Sequence, residues 1–366
     1  MIIELHILQN VAPANLNRDD TGSPKDCVFG GVRRSRISSQ ALKRAARKAF
    51  GRYGISEDEL GVRTRKVGDA IVERLVDVHG RDPERAAKVA EHALATFEIT
   101  GGEYLLFVSP TSVAEFADLC NEMFDVLERG KLRSNEQGEL TASRLFAAPR
   151  QVDIALFGRM VADIPVANVD AATQVAHAIS THEVRPEFDY FTAVDDLVEA
   201  SPEGETGAGH IDILEFNSAC YYRYAAVDTN QLIANLAEDE ELARRGLSAF
   251  LMAMIHELPS GKQNSMAAHN PPSLVMTTVR ETGQWNLANA FEDPVLTGDG
   301  GLIAESVGRL LHYYGRLAEV FDANRPAACH LVLLDDGVSV PDGMVRHPTV
   351  TALVDATTTA AFGGEL

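Results

Sequence analysis

Cysteine is scarce. Cys27, Cys120, Cys220 and Cys329 stand far apart in 366 residues, and no CxxC pair occurs. That argues against a zinc ribbon, a thioredoxin-like motif or a disulfide framework, and it reads as four reduced thiols in a cytoplasmic protein. Long apolar runs are missing too: none approaches the roughly 18 residues of a membrane helix, so no membrane partner is expected. Residues 1–8 carry Glu4 and His6, with neither a basic start nor a small-residue cleavage site, and do not read as a signal peptide. The chain has no P-loop and no G-x-S-x-G elbow. His177, His182 and Glu183 are close in sequence but are not an HExxH motif and have no evident third ligand. They read as hydrogen-bonded histidines at a helix end, and no metal or cofactor is expected. Asp19-Asp20 is a weak metal signal, because metal catalysis needs a defined ligand set. The alternative is that one of these carboxylates orients Arg18 or caps its loop.

Positive charge is also in short supply. There are 33 Lys+Arg against 53 Asp+Glu, a net charge of -20, which taken alone argues against nucleic acid. The average misleads, because the cations are concentrated. Between Lys25 and Arg52 nine cations stand against Asp26 alone, a local charge of +8 that leaves -28 on the rest of the chain. A segregated basic patch on an acidic body is the electrostatic footprint of a phosphate-backbone binder. The competing reading is a solvated helix face.

The hydropathy pattern supplies the elements. Residues 2–8 alternate as a first strand, with Ile3, Leu5 and Ile7 on one face. Residues 9–36 read as a long polar loop, a length that is usually functional. A helix follows, capped by Ser38 or Ser39, with Leu42, Ala45, Ala46 and Ala49 as its apolar stripe and Lys43, Arg44, Arg47 and Lys48 on its remaining surface. Residues 56–181 read mainly as helices, at 67–79, 83–96 and 111–129, without convincing strands, and 174–180 reads as one more helix. Strand character returns at 189–194 and 213–227, two arms of a long hairpin around a glycine-rich, mobile loop at 199–209. Helices at 230–258, a strand at 274–279, a helix at 302–321, a strand at 329–334 and a last helix after Pro348 complete the chain. With the helical block and the hairpin removed, the order reads strand, helix, strand, strand, helix, strand. That is the split βαβ, ferredoxin-like (RRM-like) arrangement of an α+β protein.

The densest motifs are Leu16-Asn17-Arg18-Asp19-Asp20, Lys25 to Gly31, and Arg33-Arg34-Ser35-Arg36-Ile37-Ser38-Ser39-Gln40. Gly30-Gly31 would let another backbone approach closely. Arg33, Arg34 and Arg36 would fork onto phosphate oxygens. Ser38, Ser39 and Gln40 sit at a helix N-terminus, where free N–H groups favour an anion.

This run resembles the backbone subunit (the CasC family) of the type I-E CRISPR Cascade surveillance complex. Further matches follow in the same order. They are Val152 to Met160, Ala176-His177-Ala178-Ile179, Asp189 to Leu197, Tyr222-Arg223-Tyr224-Ala225, Pro259-Ser260-Gly261-Lys262-Gln263 and Asn289-Ala290-Phe291-Glu292. The resemblance covers about residues 2–292, is weak in the helical block and is poor after residue 300. It implies a hand: a ferredoxin-like palm (1–55 and 223–366), a helical fingers insertion (56–181) and a β-hairpin thumb with its base (182–222). It implies a non-catalytic subunit, several copies of which stack head to tail along one CRISPR RNA and leave guide bases exposed for pairing with target DNA. The other partners implied are the large, small, 5′-handle-binding and RNA-processing endoribonuclease subunits. Carried onto this chain, the palm contacts are Arg18, Lys25, Gln40, Lys43, Arg47 and Lys262, with Arg33, Arg34, Arg36 and Ser39 beside them. Arg159 lies against the RNA with Met160 as an apolar wedge, and Tyr190, Phe191 and Val194 pack on displaced nucleotides. Val32 stands where a close relative can carry lysine, and fingers lysines are sparse, with Lys131, Arg133 and Arg144 as substitutes. The rival classes are a ferredoxin-like endoribonuclease of a CRISPR system, metal-dependent or metal-independent, and a protein–protein scaffold without RNA.

Overall fold

A computed structural model of the chain describes residues 1–96, 105–130, 142–148, 150–162, 164–193, 210–298, 301–321, 326–335 and 337–363. Its first strand, β1 (Ile2–Ala14), is longer than the alternation predicts. Polar Gln9 and Asn10 hide the continuation in the sequence. In the structure Gln9 is buried, its side chain donating to Asn270 O and accepting from the buried Arg223. The expected polar loop at 9–36 is therefore partly strand. It contains the end of β1 and a hairpin of β2 (Asp26–Phe29) and β3 (Val32–Ile37).

The remaining strands are β4 (Val62–Thr64), β5 (Leu106–Val108), β6 (Thr173–Val175), β7 (Ala178–Ser180), β8 (Glu187–Ala193), β9 (His210–Asp228), β10 (Leu274–Arg280), β11 (Ala328–Leu333) and β12 (Val345–Arg346). The helix expected at 174–180 is two short strands instead. β7 pairs with β3 through Arg36 and Ile37, and with β9 through Tyr221 and Tyr222. Tertiary pairing overrides the local preference of an Ala-His-Ala stretch there.

The chain divides into two units. The first comprises Met1–Ala49, Val175–Ala226 and Phe250–Leu366; the second comprises Phe50–Gln174 and Val227–Ala249. The first is an α+β unit on a large mixed sheet of order β12-β11-β10-β1-β9-β7-β3-β2, with β8 also paired to β9. β1 runs antiparallel to β10, from Ile2↔Arg280 to Leu8↔Leu274. It is also antiparallel to β9, as the descending contacts Glu4–Tyr224, His6–Tyr222 and Val11–Ser218 require. The expected order puts the second and third strands in succession. In the structure the helix Glu240–His256 separates β9 from β10 in sequence, and β1 lies between them in the sheet.

Both sheet faces are covered, so β10 is buried at every position and reads as an unbroken apolar run rather than an alternating one. On one face Leu8, Tyr222, Met276 and Leu331 pack against Val307, Leu310, Leu311 and Tyr314 of the helix Gly301–Val320. On the other, Thr277 meets Thr357 of the helix Val350–Ala361. Glu4, on the first face, is fully buried and is satisfied by Arg280, Thr278, the Tyr224 hydroxyl and the Trp285 N–H. A buried carboxylate persists only with such partners.

The second unit packs the helices Val67–Asp77, Pro83–Ala95, Pro110–Glu122 and Phe124–Glu128 around Ile71, Leu75, Val89, Phe116 and Phe124. Two of these helices start as their sequences dictate. Asp82 and Ser109 accept the N–H groups of Arg85 and Ser112, each followed by proline at the first helical position. The expectation of no strands in this block is corrected by β4 and β5, which pair antiparallel.

Candidate nucleic-acid interface

Asn17 organises the amino-terminal cations. Its main-chain oxygen accepts the Lys25 N–H at 2.9 Å, and its side-chain oxygen accepts the Ser38 N–H at 2.8 Å. The Arg36 N–H in turn donates to Lys25 O at 2.9 Å. Asn15, buried, donates to Gly22 O and Glu215 O. One loop thus carries the exposed Arg18 and the half-buried Lys25 to the start of helix α1 (Ser39–Ala49).

Within that loop Asp19 accepts from the Thr21 N–H and hydroxyl and the Ser23 N–H. The Thr21 hydroxyl, with these backbone donors, holds its carboxyl below the usual range. Asp19 is a turn cap, one of the roles weighed for it. Among the described residues no group of three or more His, Cys, Asp or Glu is arranged to hold a metal ion.

A segment far downstream brings Lys262 next to the same loop. Gly261 lies so close to the loop that a Cβ there would stand 2.3 Å from Leu16 O. Lys262 follows in the left-handed region at φ 52°. Only glycine tolerates the first contact, and its neighbour is thereby set beside residues 15–16.

Helix α1 offers less open backbone than its sequence suggests. Ser38 is the cap, its hydroxyl accepting the Ala41 N–H and its carbonyl the Leu42 N–H. The Ser39 N–H is taken by His177 Nδ1 at 2.9 Å, and Ser39 is buried. The expected anion site of several free N–H groups narrows to Gln40, which is exposed. Leu42, Ala46 and Ala49 are buried, whereas Lys43 and Arg47 are half-buried and Arg44 and Lys48 are exposed.

The three arginines of β3 part company. Arg33 pairs with Asp26 at the surface. Arg36 is half-buried, its Nε donating to Asp26 O. Arg34 is fully buried, and its guanidinium donates to the carbonyls of Phe29, Ser180, Phe291 and Glu292. The expectation that Arg34 forks onto phosphate is therefore corrected: its donors are engaged inside the fold. Gly30 is corrected likewise. A Cβ there would stand 1.7 Å from Glu292 O, so the backbone it admits is the chain's own Asn289-Ala290-Phe291-Glu292 segment.

In the second unit Arg159 is buried and donates to Phe107 O, Phe146 O and Ala167 O at 3.1, 2.7 and 2.7 Å. Burial pushes its pKa down to about 10. This contradicts a direct RNA contact and makes Arg159 the clasp of its loop. The next residue, Met160, is 85% exposed. Arg144 is exposed, and Lys131 and Arg133 lie outside the described residues.

On the β8–β9 ribbon Tyr190 is 69% exposed and stands opposite Ile213. Phe188, two residues earlier on the same face, is also exposed. The sequence reading missed Phe188, although the period-2 spacing Phe188, Tyr190 was there to signal it. Phe191 pairs with Asp212 in register, while its side chain and Val194 lie outside the described residues, as does the loop at 199–209. His177, expected at a helix end, instead lies exposed in the break between β6 and β7, beside Ser39. His182 is satisfied by Glu183 O and the Cys220 N–H.

A model of the CT1975-like protein family matches residues 3–355. No curated protein matches the chain. Among solved structures, a chain of a "CRISPR RNA-guided surveillance complex, pre-nicking" superposes with a TM-score of 0.85 at 31% identity, over 99% of this chain and 100% of that one. A chain of a second "CRISPR RNA-guided surveillance complex" gives a TM-score of 0.66 at 28% identity over the same shares. The family model and both superpositions run nearly the whole length of the sequence, and the chain belongs to the CT1975-like family, with subunits of CRISPR RNA-guided surveillance complexes as its structural relatives.

Proposed function

We propose that this chain is the non-catalytic backbone subunit of a type I-E CRISPR Cascade complex, and that copies of it stack head to tail along the guide RNA. The observation that carries the reading is the full-length similarity to a surveillance-complex chain at 31% identity, coupled with cations gathered around Asn17 by its two hydrogen bonds. In this reading the first unit is the ferredoxin-like palm, the second the fingers, and the β8–β9 ribbon the thumb. Arg18, Lys25, Arg33, Arg36, Lys43, Arg47 and Lys262, with Gln40, hold the sugar-phosphate strand. Met160 and the exposed Tyr190 meet displaced bases. An aromatic on a base stabilises by about 1–3 kcal/mol whatever the base, which suits a protein that must hold every spacer equally. The guide bases then remain open for target DNA. Like-charged subunits of net charge -20 repel one another, so RNA supplies the counter-charge for assembly, and the heterologous contact of head-to-tail stacking generates an open helix. Large, small, handle-binding and RNA-processing subunits complete the complex.

The test is direct. The purified chain is incubated with labelled CRISPR RNA, with and without magnesium. Bound, uncut RNA in complexes that grow with RNA length is the expected result. Cut RNA would establish an endoribonuclease instead, and RNA that neither shifts nor is cut would leave a scaffold without RNA.

A further inference from the structure

One uncharged donor stands among the cations of the amino-terminal loop. His177 lies exposed in the two-residue break between β6 and β7, and its Nδ1 accepts the Ser39 N–H at 2.9 Å. That bond fixes the tautomer. With Nδ1 occupied as an acceptor, the ring proton resides on Nε2, on the opposite side of the imidazole. Nε2 has no partner among the described residues. The charged groups acting on the ring are Arg36 of β3 and Lys25 just before β2, while Ser39 and Gln40 of α1 add none. Burial, then Arg36 and Lys25, lower the pKa of His177, and protonation would also turn Nδ1 into a second donor facing the Ser39 N–H. The ring is held neutral, with one N–H aimed away from its support.

We propose that His177 Nε2–H donates a hydrogen bond to a phosphate oxygen of the strand held by Lys25 and Arg36, a contact positioned by Ser39 and made without charge. This rests on the reading that the loop binds RNA, and its signature differs from that of the cations. A lysine on phosphate releases a counterion, so its loss lowers the salt slope by about 0.7 on a single strand. A neutral donor releases none, so its loss weakens binding equally at every salt concentration.

The experiment compares the full chain with its His177→Asn and Lys25→Ala variants on a fluorescein-labelled single-stranded RNA, with affinity measured across a salt series. The Asn side-chain oxygen can accept the Ser39 N–H as Nδ1 does. His177→Asn is expected to melt as the unaltered chain does, to bind about tenfold more weakly, and to give a parallel salt line. Lys25→Ala is expected to give a shallower one. Unchanged affinity in His177→Asn, or a changed slope, overturns the inference, and a loss confined to RNA and absent on DNA of the same sequence overturns the phosphate assignment. If His177→Asn melts early, the 15N-detected Nε2–H resonance of the unaltered chain decides. Slowed exchange with water on adding RNA supports the contact, and no change overturns it. Failure of the unaltered chain to bind RNA overturns the proposed function as well.

Discussion

Replacing Arg34 with alanine distinguishes a buried clasp from a phosphate ligand. The guanidinium donates to four main-chain carbonyls at 3.1, 3.2, 2.7 and 3.1 Å, reaching from β3 to residues 180, 291 and 292. Each charge-assisted bond is worth about 1.5–3 kcal/mol in isolation. The four are not additive, but truncation leaves buried carbonyls without donors and a cavity in place of the side chain, a cost on the order of 3–5 kcal/mol. Against a total stability of about 5–15 kcal/mol that is a large share. For a unit of this size it corresponds to a fall in melting temperature of roughly 10 °C. Arg34→Lys keeps the charge but cannot fork, and is expected to recover only part of the loss. Scanning calorimetry reads the stability, and RNA affinity against salt, measured well below the transition, reads the binding. Early melting with an unchanged salt slope is expected. Unchanged melting with a slope reduced by about 0.7 would refute the reasoning and return Arg34 to the phosphate contacts.

The other predictions concern acid, glycine and the exposed apolar residues. The Tyr222 hydroxyl, which accepts the Leu287 N–H, shares a hydrogen bond with His6 Nδ1, and burial pushes the His6 pKa from 6.5 down to about 4. The unfolded chain binds the extra proton in that window. Stability is therefore complete above pH 6.5 and falls by about 1.4 kcal/mol per pH unit toward pH 4, a slope that denaturant titrations of His6→Gln should show flattened. Gly30→Ala, with its Cβ 1.7 Å from Glu292 O, is expected to unfold the first unit, whereas Gly31→Ala meets open space and costs only about 1 kcal/mol for its positive φ; thermal melts separate the two. Met160→Ala is expected to leave the melting temperature unchanged, since the side chain is 85% exposed, while weakening RNA binding in a gel-shift titration.

Much of this was legible in the sequence, for identifiable reasons. The helix after Ser38 announced itself through its cap and its Leu42, Ala46, Ala49 stripe, because both signals are local. The charge run from Lys25 to Arg52 was equally plain. Which of its arginines faces inward was not, because Arg34 is buried by carbonyls 146 and 257 positions away that no local pattern reveals. The same holds for β1 beyond Leu8, where a polar Gln9 is paid for by a distant Arg223, and for β7, whose register is set by Tyr221 and Tyr222 of β9. Asn17 and Gly261 were seen as members of motifs. Their work, joining three segments into one cationic loop, exists only in three dimensions.

The central claim is that this loop and helix grip a ribose-phosphate strand without reading its bases. The most direct measurement is the affinity of the full chain, and of a Lys43→Ala, Arg47→Ala double variant, for CRISPR RNAs of unrelated spacer sequence across a salt series. The account predicts one common salt line for all spacers and a shallower common line for the variant. Affinities that differ from spacer to spacer, or a line that is flat in salt, would contradict it.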